Sequence, residues 1–128
     1  MSKVLILGAT SDMAVAIAKK FASFGFDIQL AARSVNQLQA LKSDLEIRYE
    51  IEVETYEFDA CNFDSHNAFY ESITEKPAIV ICVFGYMIDE DEANKNWYEA
   101  YKMMQTNYVG AVSILSIIAN DFENKNKG

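Results

Sequence analysis

Four apolar residues in succession, Val4-Leu5-Ile6-Leu7, run straight into Gly8. A strand with one wet face alternates apolar and polar side chains, so an unbroken run fits a strand covered on both faces, as in a parallel sheet between helical layers. Met13, Ala16, Ile17, Phe21 and Phe24 then recur at helical spacing, Gly25 closes that helix at a C′ position, and a second strand is expected at 28–32. Leu38, Leu41 and Leu45 with intervening charges predict an amphipathic helix over 35–49, and residues 51–58 alternate as a third strand. A shorter helix through Phe69 and Ile73 ends before Pro77, after which 79–83 is another wholly apolar strand. From Asn94 the spacing stays helical through Tyr101, Met104, Tyr108, Val112, Leu115 and Ile118, with a break expected near 107–110 and a frayed polar tail at 124–128. Strands alternating with helices imply right-handed crossovers and a parallel sheet of order 3-2-1-4, an α/β architecture in three layers.

A chain of 128 residues, 51% hydrophobic, can bury one such core without disulfides or metals, and a single domain is expected. Its net charge of −8 argues against a nucleic-acid partner, which would need a basic face to displace counterions. Cys61 and Cys82 lack metal or redox spacing and read as reduced structural residues. His66 is the sole histidine, which excludes a multi-histidine metal site, and it reads as a solvated helix-face residue. Asp89-Glu90-Asp91-Glu92 lacks the spaced ligands of a calcium loop and reads as a solvated loop before a helix, so no metal is expected. The first apolar run is too short for a signal peptide, and the stretch 109–119 is interrupted and too short to span a membrane, which points to a cytoplasmic protein.

Gly8-Ala9-Thr10-Ser11-Asp12-Met13 joins the first strand to its helix, where backbone N–H groups and the helix dipole attract an anion. Gly8, Thr10, Ser11, Asp12 and Met13 are therefore candidate contacts to the pyrophosphate of a dinucleotide, as in a Rossmann-type unit. A lone glycine also serves in plain βα turns. At the end of the second strand, about 25 residues after Gly8, such folds recognise the adenosine ribose, commonly with an acid. Here Ala32 stands in that place with Arg33 and Ser34 beside it, and a forked guanidinium suits a 2′-phosphate, favouring NADP(H) over NAD(H). A solvated arginine starting a helix is the alternative.

Gly8-Ala9-Thr10-Ser11, Ala31-Ala32-Arg33, Phe58-Asp59-Ala60 and Thr106-Asn107-Tyr108-Val109-Gly110 together resemble the short-chain dehydrogenase/reductase family over the whole chain. The resemblance implies that Asp59 touches the adenine with Ala60 as its backbone neighbour. It implies that Asn107 organises a water in the catalytic proton relay. Phe84 and Gly85 would border the cofactor at the end of the fourth strand. The front segment, together with Val83-Phe84-Gly85-Tyr86-Met87 and the acidic stretch, resembles a branch acting on sugars linked to polyprenyl phosphate.

The departures from the family pattern are specific. Its Thr-Gly-x-x-x-Gly-x-Gly reads Leu7, Gly8, Asp12 and Ala14 at the four fixed places, and Asn-Asn-Ala-Gly reads Cys82-Val83-Phe84-Gly85. Asp12 is expected to cap the helix with a carboxylate where phosphates would bind. Tyr98-Glu99-Ala100-Tyr101-Lys102 spells the family's catalytic Tyr-x-x-x-Lys, but it precedes Asn107, whereas the family's pair follows it. No residue then matches the catalytic serine, tyrosine or lysine, and the chain looks like the front portion of a longer domain. It is expected to supply cofactor binding to an NADP(H)-dependent oxidoreductase of a carbonyl or sugar substrate. A non-catalytic NADP(H)-sensing or interaction module, or a segment binding nothing, remains open. In the family the helix after Asn107 commonly forms a dimer interface, which implies a homo-oligomer.

Overall fold

The computed structural model of the protein describes residues 2–85 and 89–128. Strand β1 (Lys3–Leu7) is buried along its length and pairs in parallel with β2 (Asp27–Ala32) and β4 (Ile79–Cys82), while β3 (Val53–Glu57) lies outside β2. The order is β3-β2-β1-β4, as the alternation of strands and helices predicts. Val4 stands opposite Ile28 and Ile79, and Leu7 opposite Ala31 and Cys82, so the strand ends are level where the chain turns into its helices.

Because strand side chains alternate, this register builds two cores. Val4, Ile6, Ile28, Leu30 and Val53 face α1 (Asp12–Ser23), α2 (Gln39–Tyr49) and the 3-10 turn Val35–Leu38 before it. Leu5, Leu7 and Ala31 face α3 (His66–Ser72) and α6 (Ala111–Lys125), which contribute Phe69, Tyr70, Ile114 and Ile118. Each leucine or isoleucine buried completely in these layers contributes roughly 1.5–3 kcal/mol.

Several expectations are corrected. The stripe of α1 that meets the sheet is Ala14, Ala18 and Ala22, whereas Met13 and Phe24 are largely exposed and Ile17 and Phe21 flank the contact. Small side chains at i, i+4 spacing let the helix lie close on the strands, and bulkier residues are displaced to its sides. The acidic run is helical: Asp89 accepts the Glu92 N–H at 2.8 Å and caps α4 (Glu90–Lys95), placing Glu90, Asp91 and Glu92 at the positive end of its dipole. A new helix, α5 (Trp97–Met104), starts at Asn96 and passes through a π-helical turn, Gln105–Gly110, into α6, so the expected break is a change of winding. The tail does not fray at Asn124. Helix α6 continues to Lys125 and closes with Asn126 in the left-handed region while the Lys127 N–H bonds to the Phe122 carbonyl. Among the described residues no helix is long and apolar enough to cross a membrane.

Candidate functional site

The carboxyl ends of β1, β2 and β4 open onto a cleft of about 390 Å³. Its floor is set by Gly8, whose N–H donates to the Ala31 carbonyl at 2.9 Å alongside that of Ala9 at 3.0 Å. Gly8 has φ of +89°, and a Cβ there would lie 2.5 Å from the Phe84 Cα, so the turn after β1 is pressed against the exit of β4. Only glycine satisfies both conditions.

Thr10 and Ser11 line the cleft at the amino end of α1. The helix cap is Ser11, whose Oγ accepts the Ala14 N–H at 3.1 Å, and Asp12 is the first helical residue. This corrects the expectation of an Asp12 cap: the hydroxyl one position earlier has the extended backbone and the reach that capping requires. The carboxylate of Asp12 still stands in the first helical turn, exposed like Met13. Neither residue is among those lining the cleft, nor is Ser34.

At the end of β2, Ala32 is buried and Arg33 is exposed, and both line the cleft. Across from them the turn after β3 brings Phe58, Asp59, Ala60 and Cys61 to the same space. Asp59 is held by its own turn, Oδ1 accepting the Cys61 N–H at 2.9 Å. The buried Phe58 ring packs 5.7 Å from Phe84, and Ala60 is pinned by Gly110, where a Cβ would come within 2.6 Å of the Ala60 carbonyl oxygen.

His66 overturns its reading as a solvated residue, for it is completely buried and stacked on Phe58. Its Nε2 lies 2.9 Å from the Asp59 carbonyl oxygen, which can only accept, so Nε2 carries a proton. In the neutral ring Nδ1 then accepts from the Ser113 hydroxyl at 2.7 Å. Two hydrogen bonds thus tie the Asp59 turn to α6, and burial is stabilising because both ring nitrogens are satisfied.

The third wall comes from β4 and α5. Val83, Phe84 and Gly85 line it at the strand exit, and burial raises the nearby Cys82 thiol above its ordinary pKa. Asn107 lies in the π-helical turn beside Gly85, where an added Cβ would sit 3.6 Å from its Oδ1. Thr106 and Lys102 line the cleft, and Thr106 Oγ1 is 2.8 Å from Cys61 Sγ. Sequence reasoning missed these two residues as cleft members. The signal available was their i, i+4 spacing on the helix that carries Asn107. Tyr98 is exposed and is not among the residues that line the cleft.

Eight of the twelve anticipated residues therefore meet around one space: Gly8, Thr10, Ser11, Arg33, Asp59, Ala60, Phe84 and Gly85. Tyr86 and Met87, which carry part of the resemblance to the sugar-reducing branch, lie outside the described residues. Among the described residues no group of three or more His, Cys, Asp and Glu is arranged to hold a metal ion.

Similarity to known proteins follows this geometry. A family model for short chain dehydrogenase matches residues 2–128. An uncharacterized oxidoreductase of Mycobacterium tuberculosis is 28% identical over 128 residues, covering 98% of this chain and 51% of the relative. A short-chain dehydrogenase from Sphingobium yanoikuyae in complex with NADPH superposes with a TM-score of 0.84 at 23% identity, over 100% of this chain and 51% of that one. An NAD+-bound xylitol dehydrogenase does so with a TM-score of 0.84 at 16% identity, over 99% and 50%. The chain thus spans about half the length of the curated relative it matches along nearly its whole extent. With the family model matched across all but the first residue and the cleft built at the strand ends where that fold binds its ligand, the chain belongs to the short-chain dehydrogenase family.

Proposed function

We propose that this chain provides the dinucleotide-binding part of an NADP(H)-dependent oxidoreductase acting on a carbonyl or the corresponding hydroxyl group, a sugar being one such substrate. The observation that carries the cofactor preference is Arg33 on the cleft wall next to a buried Ala32, where an acid would otherwise meet the ribose hydroxyl. The cleft offers the donors a dinucleotide needs. Gly8 keeps the turn free of a side chain, and the Thr10 and Ser11 hydroxyls stand at a helix amino end, a favourable place for pyrophosphate.

When bound, the cofactor supplies hydride transfer at its nicotinamide. This chain's residues bind and orient it. Asp59, fixed by the Cys61 N–H and by His66 through its carbonyl, presents its carboxylate to the adenine side. Asn107, beside Gly85 at the β4 exit, is proposed to orient the water of the proton relay. Self-association into a homo-oligomer is part of the same reading, supported by the exposed Tyr108, Val109, Val112 and Leu115 along the π-helical turn and α6.

A second reading, a non-catalytic NADP(H)-sensing or interaction module, is supported by Asp12 and Ala14 at places where the family keeps glycine. Titration of NADPH and NADH tests the first reading directly. Arg33→Ala should weaken NADPH by about 10- to 100-fold and leave NADH within about twofold, the worth of a hydrogen-bonded ion pair to the phosphate. Equal affinity of the unaltered protein for both cofactors would overturn the preference.

A further inference from the structure

Lys102 is a charged cleft residue to which the proposed function gives no role. The protein carries a net charge of −8, yet two cations, Arg33 and Lys102, line this one space, and Asp59 is the carboxylate that lines it with them. One oxygen of Asp59 is already engaged by the Cys61 N–H. A chain this acidic repels anions at long range, so an anionic ligand must be held by cations close at hand.

The position of Lys102 along α5 says which end of the cleft it serves. It precedes Thr106 by one helical turn, on the same side of the helix. Thr106 is seated on Cys61, and therefore against the Asp59–Cys61 turn, whereas Asn107 stands next to Gly85 at the exit of β4. Lys102 thus lines the cleft from the same helical run that seats Thr106 on the Asp59–Cys61 turn, with Arg33 entering from the end of β2.

We propose that Lys102 is a specificity-determining residue that, with Arg33, clamps the phosphate on the adenosine ribose. The inference rests on the NADP(H) reading and adds a second cation to it. A phosphate monoester carries close to two negative charges near neutral pH. A guanidinium satisfies it with a fixed fork of donors, and an ammonium on a flexible stem adds a compact charge from another direction. The two residues come from elements far apart in sequence, one after β2 and one in α5, so the phosphate would also bridge them.

Calorimetric titration of the chain with adenosine 2′,5′-bisphosphate and with 5′-AMP separates the possibilities. Lys102→Met should weaken the bisphosphate by about tenfold and 5′-AMP by less than about twofold, and Lys102→Arg should recover most of the loss. Lys102 is exposed, so an unchanged thermal midpoint is expected to accompany the change in affinity. If the bisphosphate preference disappears in Arg33→Ala but survives in Lys102→Met, or if Lys102→Met weakens both ligands alike, the role assigned to Lys102 is wrong while the NADP(H) reading stands. If the unaltered protein binds the bisphosphate no better than 5′-AMP, the NADP(H) reading fails, and the clamp fails with it.

Discussion

The two ends of the sheet use polar side chains in opposite ways. Toward the amino ends of the strands, Lys3 is buried with its Nζ 2.6 Å from Glu54 Oε1 and 3.6 Å from Glu75 Oε2. Gln29, completely buried in β2, donates to the Glu75 carbonyl at 2.9 Å, and the Tyr56 hydroxyl donates to Glu54 Oε2 at 2.8 Å. These groups answer one another, save the buried Gln29 Oε1, which has no hydrogen-bond partner among the described residues. At the carboxyl ends, Thr10, Ser11, Arg33 and Lys102 instead converge on an open cleft. The difference teaches that the charges buried toward the amino ends stabilise the fold by meeting one another, whereas the polar groups at the carboxyl ends border an open cleft.

The largest expected effect breaks this simple division, because it lies at the cleft end and yet concerns folding. Gly8→Ala forces a side chain into a positive φ and brings Cβ within 2.5 Å of the Phe84 backbone. Left-handed backbone costs about 1–2 kcal/mol and overpacking about 1–3 kcal/mol more. Urea denaturation should show a loss of about 3 kcal/mol together with loss of nucleotide binding. A loss below about 1 kcal/mol would mean that the β1 turn and the β4 exit can move apart cheaply.

The amino end sharpens the comparison through pH. Burial works to raise the Glu54 pKa, but hydrogen bonds from Lys3, Tyr56 and Gln29 outweigh it and hold the carboxyl below its ordinary value. Lys3 is raised above its ordinary 10.5, chiefly by the hydrogen bond to Glu54. Stability from Glu54 is therefore complete above the ordinary carboxylate range and lost as pH falls through its lowered folded value. Stability from Lys3 is complete below 10.5 and lost as pH rises through its raised folded value. Since Glu54 is about 35% exposed, solvent screening holds the pair to about 1 kcal/mol. Glu54→Gln should flatten the decline in unfolding free energy between neutral pH and pH 3, without changing nucleotide affinity. Parallel curves for the two proteins would show that the network contributes nothing through ionisation.

What could be read from the sequence divides along physical lines. The apolar runs of β1 and β4, Gly8 and Gly25, and the alternation of strands and helices are local signals, and they carried the sheet order and the position of the cleft. His66 was not legible, because its burial depends on Ser113, 47 residues away, and on a carbonyl of the preceding turn. The alanine face of α1 was hidden for a related reason: bulky residues dominate any hydrophobic pattern, while close packing selects small ones. Lys102 joins the cleft only because α5 folds back over the turn after β3, a tertiary fact that i, i+4 spacing alone cannot supply.

The smallest effect sets the two uses of polar groups against each other in a single side chain. Ser11 caps α1 through the Ala14 N–H and also lines the cleft, so it belongs to the fold and to the site at once. Ser11→Ala should cost about 0.5–1 kcal/mol, the ordinary value of a cap. Ser11→Asp keeps a capping oxygen and adds a charge favourable to the helix dipole, so stability should be unchanged or slightly higher. The same charge, next to Asp12, would repel a pyrophosphate, and cofactor affinity should fall although the protein is no less stable. Thermal denaturation and nucleotide titration on the two variants give four numbers. If affinity in Ser11→Asp follows stability rather than charge, the amino end of α1 is a structural cap alone and the pyrophosphate lies elsewhere in the cleft.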